Sequence, residues 1–401
     1  MSRFKEKAKS PDKFLIILTF ALIFIGIVTI ATAGIIHAHV LLKGTNDYFF
    51  FTQQILWAIL GLIGMYIASQ IPYTFWRKNA LFLLIIGIIF LMSVFLPGLS
   101  RGEIKGAVRW IRIGPINAQP SEFIKIFLAI YLSAWLSNKK RQDIQDFRYG
   151  LIPFVLLIGA VVLLLELQSD LGTTIIIGMI SFICFFISGA SIVQLGLLVG
   201  VATTLTLILI KIEPYRMSRF TTFLYPFADK TGAGYHINQA LLALGNGGLF
   251  GVGFGHSRQK YRYLPEPVTD SIFAIIGEEF GLIGGVVIIS LFILFAWRAF
   301  QIARGAPDPF SKVLASAIGF WIPFQAFINI GAMASLVPMT GIPLPFVSYG
   351  GSSLTVTLFT VGILLNISRH STYEETNPIT SFTQWRRNRR SSLPTNRTHR
   401  A

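Results

Sequence analysis

Charge is what this chain has little of. Asp, Glu, Lys and Arg make up 13% of its 401 residues, about half the roughly 25% of an ordinary soluble domain. Acid is scarcer still, with 18 Asp and Glu against 34 Lys and Arg. A chain that is 53% hydrophobic and carries 35 Phe cannot cover itself for water, so a membrane is its expected solvent. Cysteine is nearly absent. Cys184 alone excludes an intramolecular disulfide and a cysteine metal cluster, and within its apolar run it reads as core- or lipid-facing filler. No His/Cys cluster supports zinc, and His37 and His39 read as surface or rim residues. The order G-x-x-x-x-G-K-[ST] is also missing, so the glycine series GNGGLFGVGFGHSRQK at 245–260 is not a nucleotide loop.

What is present is a row of apolar runs. Residues 14–36 hold no charge, enough to cross about 30 Å of hydrocarbon at about 1.5 Å per residue. The run is long for a signal peptide despite Ala31-Thr32-Ala33, so a retained first span is expected. Further runs lie near 54–71, 80–97, 120–137, 150–167, 173–190, 192–210, 271–297, 312–334 and 352–367. The expected fold is therefore an all-α polytopic membrane protein with ten transmembrane helices and both termini on one side.

With that side cytoplasmic, 21 of the 34 basic residues fall on inner segments. They are Arg3, Lys5, Lys7, Lys9, Lys13, Arg77, Lys78, Lys139, Lys140, Arg141, Arg148, Arg298, Arg304, Lys312 and seven arginines after position 368. This is the positive-inside pattern. It makes most of the net charge of +16 topological and argues against a nucleic-acid partner. Three segments follow: a cytoplasmic stretch 1–13, a membrane domain 14–370 and a basic tail 371–401. The tail's composition predicts disorder, with its arginines able to rest on anionic lipid. A long extracytoplasmic loop, 211–270, joins helices 7 and 8. A loop of that length in a compact bundle is usually functional, and its Pro and Gly suggest short turns with re-entrant or surface helices.

The few acids are concentrated. In YLPEPVTDSIFAIIGEEFGLIGG, 263–285, Asp270 stands at the mouth of the eighth span, either as a cap or as a functional acid. Glu278 and Glu279 lie about 12 Å deeper, where a lone charge costs on the order of 3 kcal/mol, so both need a partner, a proton or water. Helical geometry lets Glu278 share a side with Asp270 and turns Glu279 toward a structural partner. In QPSEFIK, 119–125, Glu122 and Lys125 are three apart on one face, as an internal ion pair or as a cavity-facing Lys oriented by Glu. Arg109 and Arg112 flank Trp110 as an interfacial anchor or a phosphate grip. Glu166 and Asp170 mark the rim after the fifth span, with Asp170 able to cap the sixth. Arg258, Lys260 and Arg262 form a basic series suited to an anionic head group. These residues describe an outward cavity with carboxylates and cations under a long lid. The cations suit a pyrophosphate, the carboxylates a general base or a divalent ion. Enzyme and transporter both fit.

The stretches 263–285, ALLALGNGGLFGVGFG, QPSEFIK, SDLGTT and GIPLPFVSYGGSS occur in this order, and together they resemble the signature segments of the SEDS family of bacterial cell-wall polymerases. The resemblance runs from about residue 14 to 369. HSRQKYRYLPE is more similar to the division branch, FtsW, than to the elongation branch, RodA. The family implies glycosyl transfer that polymerises lipid II at the outer face of the bacterial cytoplasmic membrane, releasing undecaprenyl pyrophosphate. A lipid II flippase is the alternative. The family's essential acid matches Asp270, as general base or as orienter of the acceptor hydroxyl. Substrate contacts are implied for Arg109, Gln119, Ser121, Glu122, Lys125, Asp170, Arg258, Lys260, Glu266 and Ser348. A divalent cation, Mg or Mn, is implied with unknown ligands. So is partnership with a class B penicillin-binding transpeptidase and other divisome proteins. Val268 stands where the family usually has His, and Ser169 where it usually has Pro.

Overall fold

A computed structural model describes residues 10–96, 98–100, 102, 108–114, 116–228, 232, 234–261 and 263–372. Residues 1–9, Arg262 and the tail beyond 372 lie outside them, and with them most of the two expected terminal segments. Each apolar run carries a helix: α1 (Lys13–Leu41), α2 (Phe49–Gln70), α4 (Ala80–Met92), α5 (Pro120–Ser137), α7 (Ile152–Leu167), α8 (Leu171–Ile187), α9 (Ile192–Ile212), α12 (Ile272–Arg304), α13 (Pro309–Met333) and α14 (Gly351–Arg369). Short helices α3 (Tyr73–Lys78), α6 (Arg141–Gln145), α10 (Pro214–Leu224) and α11 (Tyr235–Gly247) connect them. The long loop thus carries two helices, α10 and α11. Among the described residues, seven helices are long and apolar enough to cross a membrane.

The strictly all-α expectation needs one correction. β1 (Ile111–Ile113) and β2 (Ile116–Ala118) pair antiparallel, with Ile111 opposite Ala118. Alternating isoleucines around Gly114-Pro115 favour a turn between two short strands.

α13 and α14 form the buried centre, most of each being inside the bundle. α2 lies along α14, α12 along α13, and α5 and α8 close the other side of α13. Small residues set the close approaches. A Cβ at Gly319 would sit 2.6 Å from the Ala299 Cβ, the small-residue packing expected between helices without water to drive them together. α9 stands at the edge, with Ile192, Val193, Leu197, Leu205 and Leu207 exposed, as a lipid-facing surface would be. Cys184 is fully buried, a core filler.

α12 is broken. Gly281 has φ 67 and ψ −161, a backbone that L side chains avoid. The break frees carbonyls and N–H groups that must find partners at membrane depth. The glycine series supplies them. Val252 and Gly253 donate their N–H to the carbonyls of Glu278 and Glu279 at 2.9 and 3.1 Å. Leu282 and Ile283 donate to the carbonyls of Gly248 and Leu249 at 2.9 and 3.3 Å. The approach requires glycine: a Cβ at Gly247 or Gly251 would overlap the carbonyl of Gly277 or Glu279.

Candidate active site

The turn that carries Asp270 begins where the chain leaves this repair. Glu266 adopts φ 49, and its carbonyl accepts the N–H of Thr269 and of Ser271, both at 3.2 Å. The Thr269 hydroxyl donates to the Glu266 carboxylate at 3.0 Å, so Glu266 shapes the turn. The Ser271 hydroxyl donates to the Pro265 carbonyl at 2.8 Å and meets His236 Nε2 of α11 at 2.6 Å. α12 starts at Ile272 with Ser271 at its N-cap and no side-chain cap. The capping alternative for Asp270 is therefore not what the helix uses.

A second loop, 339–350, holds the turn from the other side. Tyr349 N–H donates to the Val268 carbonyl at 2.8 Å. The Ser348 hydroxyl donates to the Thr269 carbonyl at 2.6 Å and accepts the Leu344 N–H at 2.8 Å. Asn329 of α13 donates its amide to the carbonyls of Asp270 and Ile342, both at 2.8 Å. Val268 itself is buried, so the position that departs from the family pattern is apolar packing, and the nearby imidazole comes from α11.

Gly341 lies where two opposite charges converge. Its φ is +72, and a Cβ there would be 3.6 Å from Asp270 Oδ2 and 3.7 Å from Arg219 Nη1. Arg219, on α10, donates to the Met339 carbonyl at 2.9 Å, bonds the Tyr215 hydroxyl and stacks 4.6 Å over that ring. The sequence reading did not single out Arg219 or His236. Both come from the long loop, whose folding brings them to Asp270.

The other expected residues divide into three groups. Arg109, Gln119, Ser121 and Asp170 form a cluster behind the 339–350 loop. Gly172 of α8 packs there, a Cβ on it being 3.0 Å from the Thr340 carbonyl. Asp170 caps α8 through Thr173 N–H at 3.3 Å and accepts the hydroxyls of Thr173 at 2.8 Å and Ser121 at 3.0 Å. Gln119 donates to Ser121 at 3.0 Å. Arg109 lies 3.7 Å from Asp170 and also reaches the carbonyls of Gln168 and Ser169. Arg112 is exposed on β1.

Glu122 and Lys125 form the second group, an internal ion pair at 2.8 Å with both side chains buried. Lys125 also donates to Gln325 Oε1 at 3.1 Å and lies 5.2 Å over Trp321. Gln325 in turn donates to the Pro343 carbonyl at 3.0 Å, so the pair supports the same loop. The cavity-facing alternative for Lys125 is corrected: with 1% of its surface exposed, its charge is satisfied inside the bundle.

The third group braces the α12 break. Lys260 is buried and pairs with Glu279 at 3.2 Å, and it donates to the Gly255 carbonyl at 2.6 Å. Thr32 of α1 donates to Glu279 at 3.4 Å. Glu278 accepts the Ser257 hydroxyl and the N–H groups of Gln259 and Arg258 at 3.2 and 3.3 Å. Lys260 therefore belongs to the helix brace instead of an open basic patch; of the expected series only Arg258 is exposed among the described residues. Glu279 has its structural partner, and Glu278 is occupied by the glycine-series loop. Glu166 lies elsewhere, 2.7 Å from Arg216 of α10.

The sequence profile of the FtsW/RodA/SpoVE family, described as "Cell cycle protein", matches residues 12–373. Stage V sporulation protein E of Bacillus subtilis (strain 168) is 42% identical over 371 residues, 92% of this chain and 99% of that protein. A protein of Geobacter sp. (strain M18) named "Probable peptidoglycan glycosyltransferase FtsW" is 39% identical over 364 residues, 90% of this chain and 98% of that protein. Among solved structures, a chain from "Structural coordination of polymerization and crosslinking by a peptidoglycan synthase complex" aligns with a TM-score of 0.74 at 26% identity, over 91% of this chain and 99% of that one. The Rod shape determining protein RodA of Thermus thermophilus aligns with a TM-score of 0.66 at 27% identity, over 91% and 98% of the two chains. With its seven apolar spans, the protein is a multi-pass protein of the bacterial cytoplasmic membrane, and the chain belongs to the FtsW/RodA/SpoVE family.

Proposed function

We propose that the chain is a peptidoglycan glycosyltransferase that polymerises lipid II at the outer face of the membrane, in septal wall synthesis. The observation that carries this reading is the approach of the Asp270 carboxylate and the Arg219 guanidinium to one point, 3.6 and 3.7 Å from a Cβ placed on Gly341. The two charges lie at most about 7 Å apart, close enough for one substrate to meet both. Asp270 accepts a hydrogen bond from the acceptor sugar's hydroxyl and takes its proton. The hydroxyl oxygen bonds to the donor's anomeric carbon as the bond from that carbon to the pyrophosphate oxygen breaks. Undecaprenyl pyrophosphate leaves with the bonding pair. Arg219 faces the charge that develops on it, the electrostatic contribution such sites depend on. Arg109, part-exposed beside Asp170, is the second cation available to the substrate's diphosphate.

The finer topology belongs to the same proposal: ten crossings with both termini cytoplasmic, α4, α5 and α8 completing the seven longer spans. So does a divalent cation. Among the described residues no group of three His, Cys, Asp or Glu could cage one. The oxygens near Asp270 nonetheless suit a hard ion. Asn329 Oδ1 and Thr340 Oγ1 are buried without a hydrogen-bond partner, and Mg²⁺ is commonly held by one or two carboxylates together with substrate phosphates. When bound, such an ion neutralises diphosphate charge. A class B penicillin-binding transpeptidase is the proposed partner, supported by the alignment with a chain of a peptidoglycan synthase complex. The flippase alternative drew on Glu122, Lys125, Glu278 and Glu279, which are all engaged by internal partners.

The test uses purified protein and its Asp270→Asn form with lipid II and Mg²⁺ or Mn²⁺, with and without the transpeptidase. Glycan ladders on a gel from the native protein and none from the variant are expected. Ladders of equal strength from both remove Asp270 from the chemistry, and translocation without polymer supports the flippase.

A further inference from the structure

On the opposite end of the bundle from Asp270 lies a cavity of about 480 Å³, within the range of small-molecule sites, about 300–1,000 Å³. It opens where the C-terminal ends of α5 and α8 meet the turn between α12 and α13. Lys139, Arg141 and Lys312 line it, with Ile187 and Val313 as apolar wall and Asp308 as the only carboxylate among the described lining residues. That carboxylate is occupied. It accepts the N–H groups of Phe310 and Ser311 at 2.9 and 3.3 Å, capping α13, and the Ser311 hydroxyl at 3.0 Å. Burial, with the neighbouring Asp308 charge, pushes the Tyr73 phenol up to about 12, so it keeps its proton.

The three cations have no carboxylate partner among the described residues. Lys139 donates to the Tyr149 carbonyl at 2.5 Å and sits 4.5 Å over Trp135, which fixes its position without neutralising it. Arg141 packs beside Gly189, and Lys312 is exposed. A few residues after Ser188, which lines the cavity, α9 begins with Ile192 and Val193 exposed, as lipid-facing residues would be. Three cations without a carboxylate partner among the described residues, in a cleft lined also by Ile187 and Val313, match a phosphate ester joined to acyl chains. Basic pockets between helix ends on the cytoplasmic side are suited to anionic lipid head groups.

We propose that this cavity binds the phosphate of an anionic glycerophospholipid of the inner leaflet, separate from the outer glycosyl-transfer site. The proposal rests on the inward placement of this face given above. Its test reads bound lipid rather than glycan, so a failure of either reading is distinguishable from a failure of the other.

The experiment is native mass spectrometry of the full-length protein, extracted and reconstituted with mixed phosphatidylglycerol and phosphatidylcholine. The native protein should keep about one phosphatidylglycerol per chain through a detergent wash that strips phosphatidylcholine. The triple variant Lys139→Gln, Arg141→Gln, Lys312→Gln should hold it at least tenfold more weakly, and the single exposed change Lys312→Gln severalfold more weakly. The single variant, whose thermal unfolding should match the native protein, keeps the test valid if the triple variant misfolds. A second arm adds millimolar inorganic phosphate. Retention of lipid identifies a head-group site, whereas displacement by phosphate, lost in the same variants, identifies a site for soluble phosphate. Equal retention of both lipids, or unchanged lipid and phosphate binding in the folded variants, overturns the proposal.

Discussion

Replacing Arg219 by Gln tests whether the charge facing Asp270 acts on the substrate. The side chain is fastened by the Met339 carbonyl at 2.9 Å and by stacking on Tyr215, and it lies on α10, which contributes no buried residue. Its loss should therefore cost little stability. The electrostatic loss is larger. At the upper limit of about 7 Å on their separation, a unit charge pair in an effective dielectric of about 20 interacts by about 2 kcal/mol, or roughly thirtyfold in rate. Direct contact with the leaving diphosphate raises this toward the hundredfold typical of losing one transition-state donor. Arg219 is part-exposed, which holds the estimate near the lower figure. Arg219→Lys should recover part of the loss, because it keeps a point charge but not the two-pronged donor. The assay is the initial rate of lipid II consumption in detergent with Mn²⁺ or Mg²⁺, read beside thermal unfolding. A Gln variant that melts like the native protein and polymerises within threefold of its rate refutes the assignment.

Gly251→Ala should lower the melting temperature by about 5 °C or more, since the added Cβ meets the Glu279 carbonyl and a left-handed residue costs about 1–2 kcal/mol in addition. Ser348→Ala removes the hydroxyl that joins Thr269 to Leu344 and should cost about 1–3 kcal/mol of stability, read by thermal unfolding in detergent. For the buried pair, Glu122→Gln or Lys125→Met alone should destabilise by about 3–5 kcal/mol, while the double change Glu122→Leu with Lys125→Met should be much milder. A double variant as unstable as the worse single would show that the pair contributes more than mutual neutralisation.

The sequence exposed those features whose causes are local. Helices could be read from apolar runs, the Glu122–Lys125 pair from spacing on one face, and the Asp170 cap from its place before Leu171. Each depends on residues a turn or so apart. The break in α12 was hidden because Gly277, Gly281, Gly284 and Gly285 stand close together in the sequence, and only backbone angle separates Gly281 from the rest. Lys260 looked like a surface cation because nothing local reveals that its loop folds into that break. Arg219 and His236 were out of reach for the same reason: their neighbours come from α12, α13 and the 339–350 loop.

The buried acids of α12 answer a positional need. In the proposed reaction the Asp270 carboxylate takes a proton from one sugar while another is attacked, which requires it to be held to within a fraction of an ångström, yet Asp270 sits in a turn before a helix with no side-chain cap. Its precision comes from both flanks. Behind it, Lys260 with Glu279 and Ser257 with Glu278 lock the glycine-series loop into the α12 break, and the chain runs directly from that lock into the turn. In front, Ser348, Tyr349 and Asn329 grip the turn's carbonyls. Burying four polar side chains at membrane depth is costly unless each is paired. Here the pairings fix the chain just ahead of Asp270 and the first helical turns behind it, so Glu278 and Glu279, two of the charges on which the flippase alternative drew, brace the turn that carries Asp270.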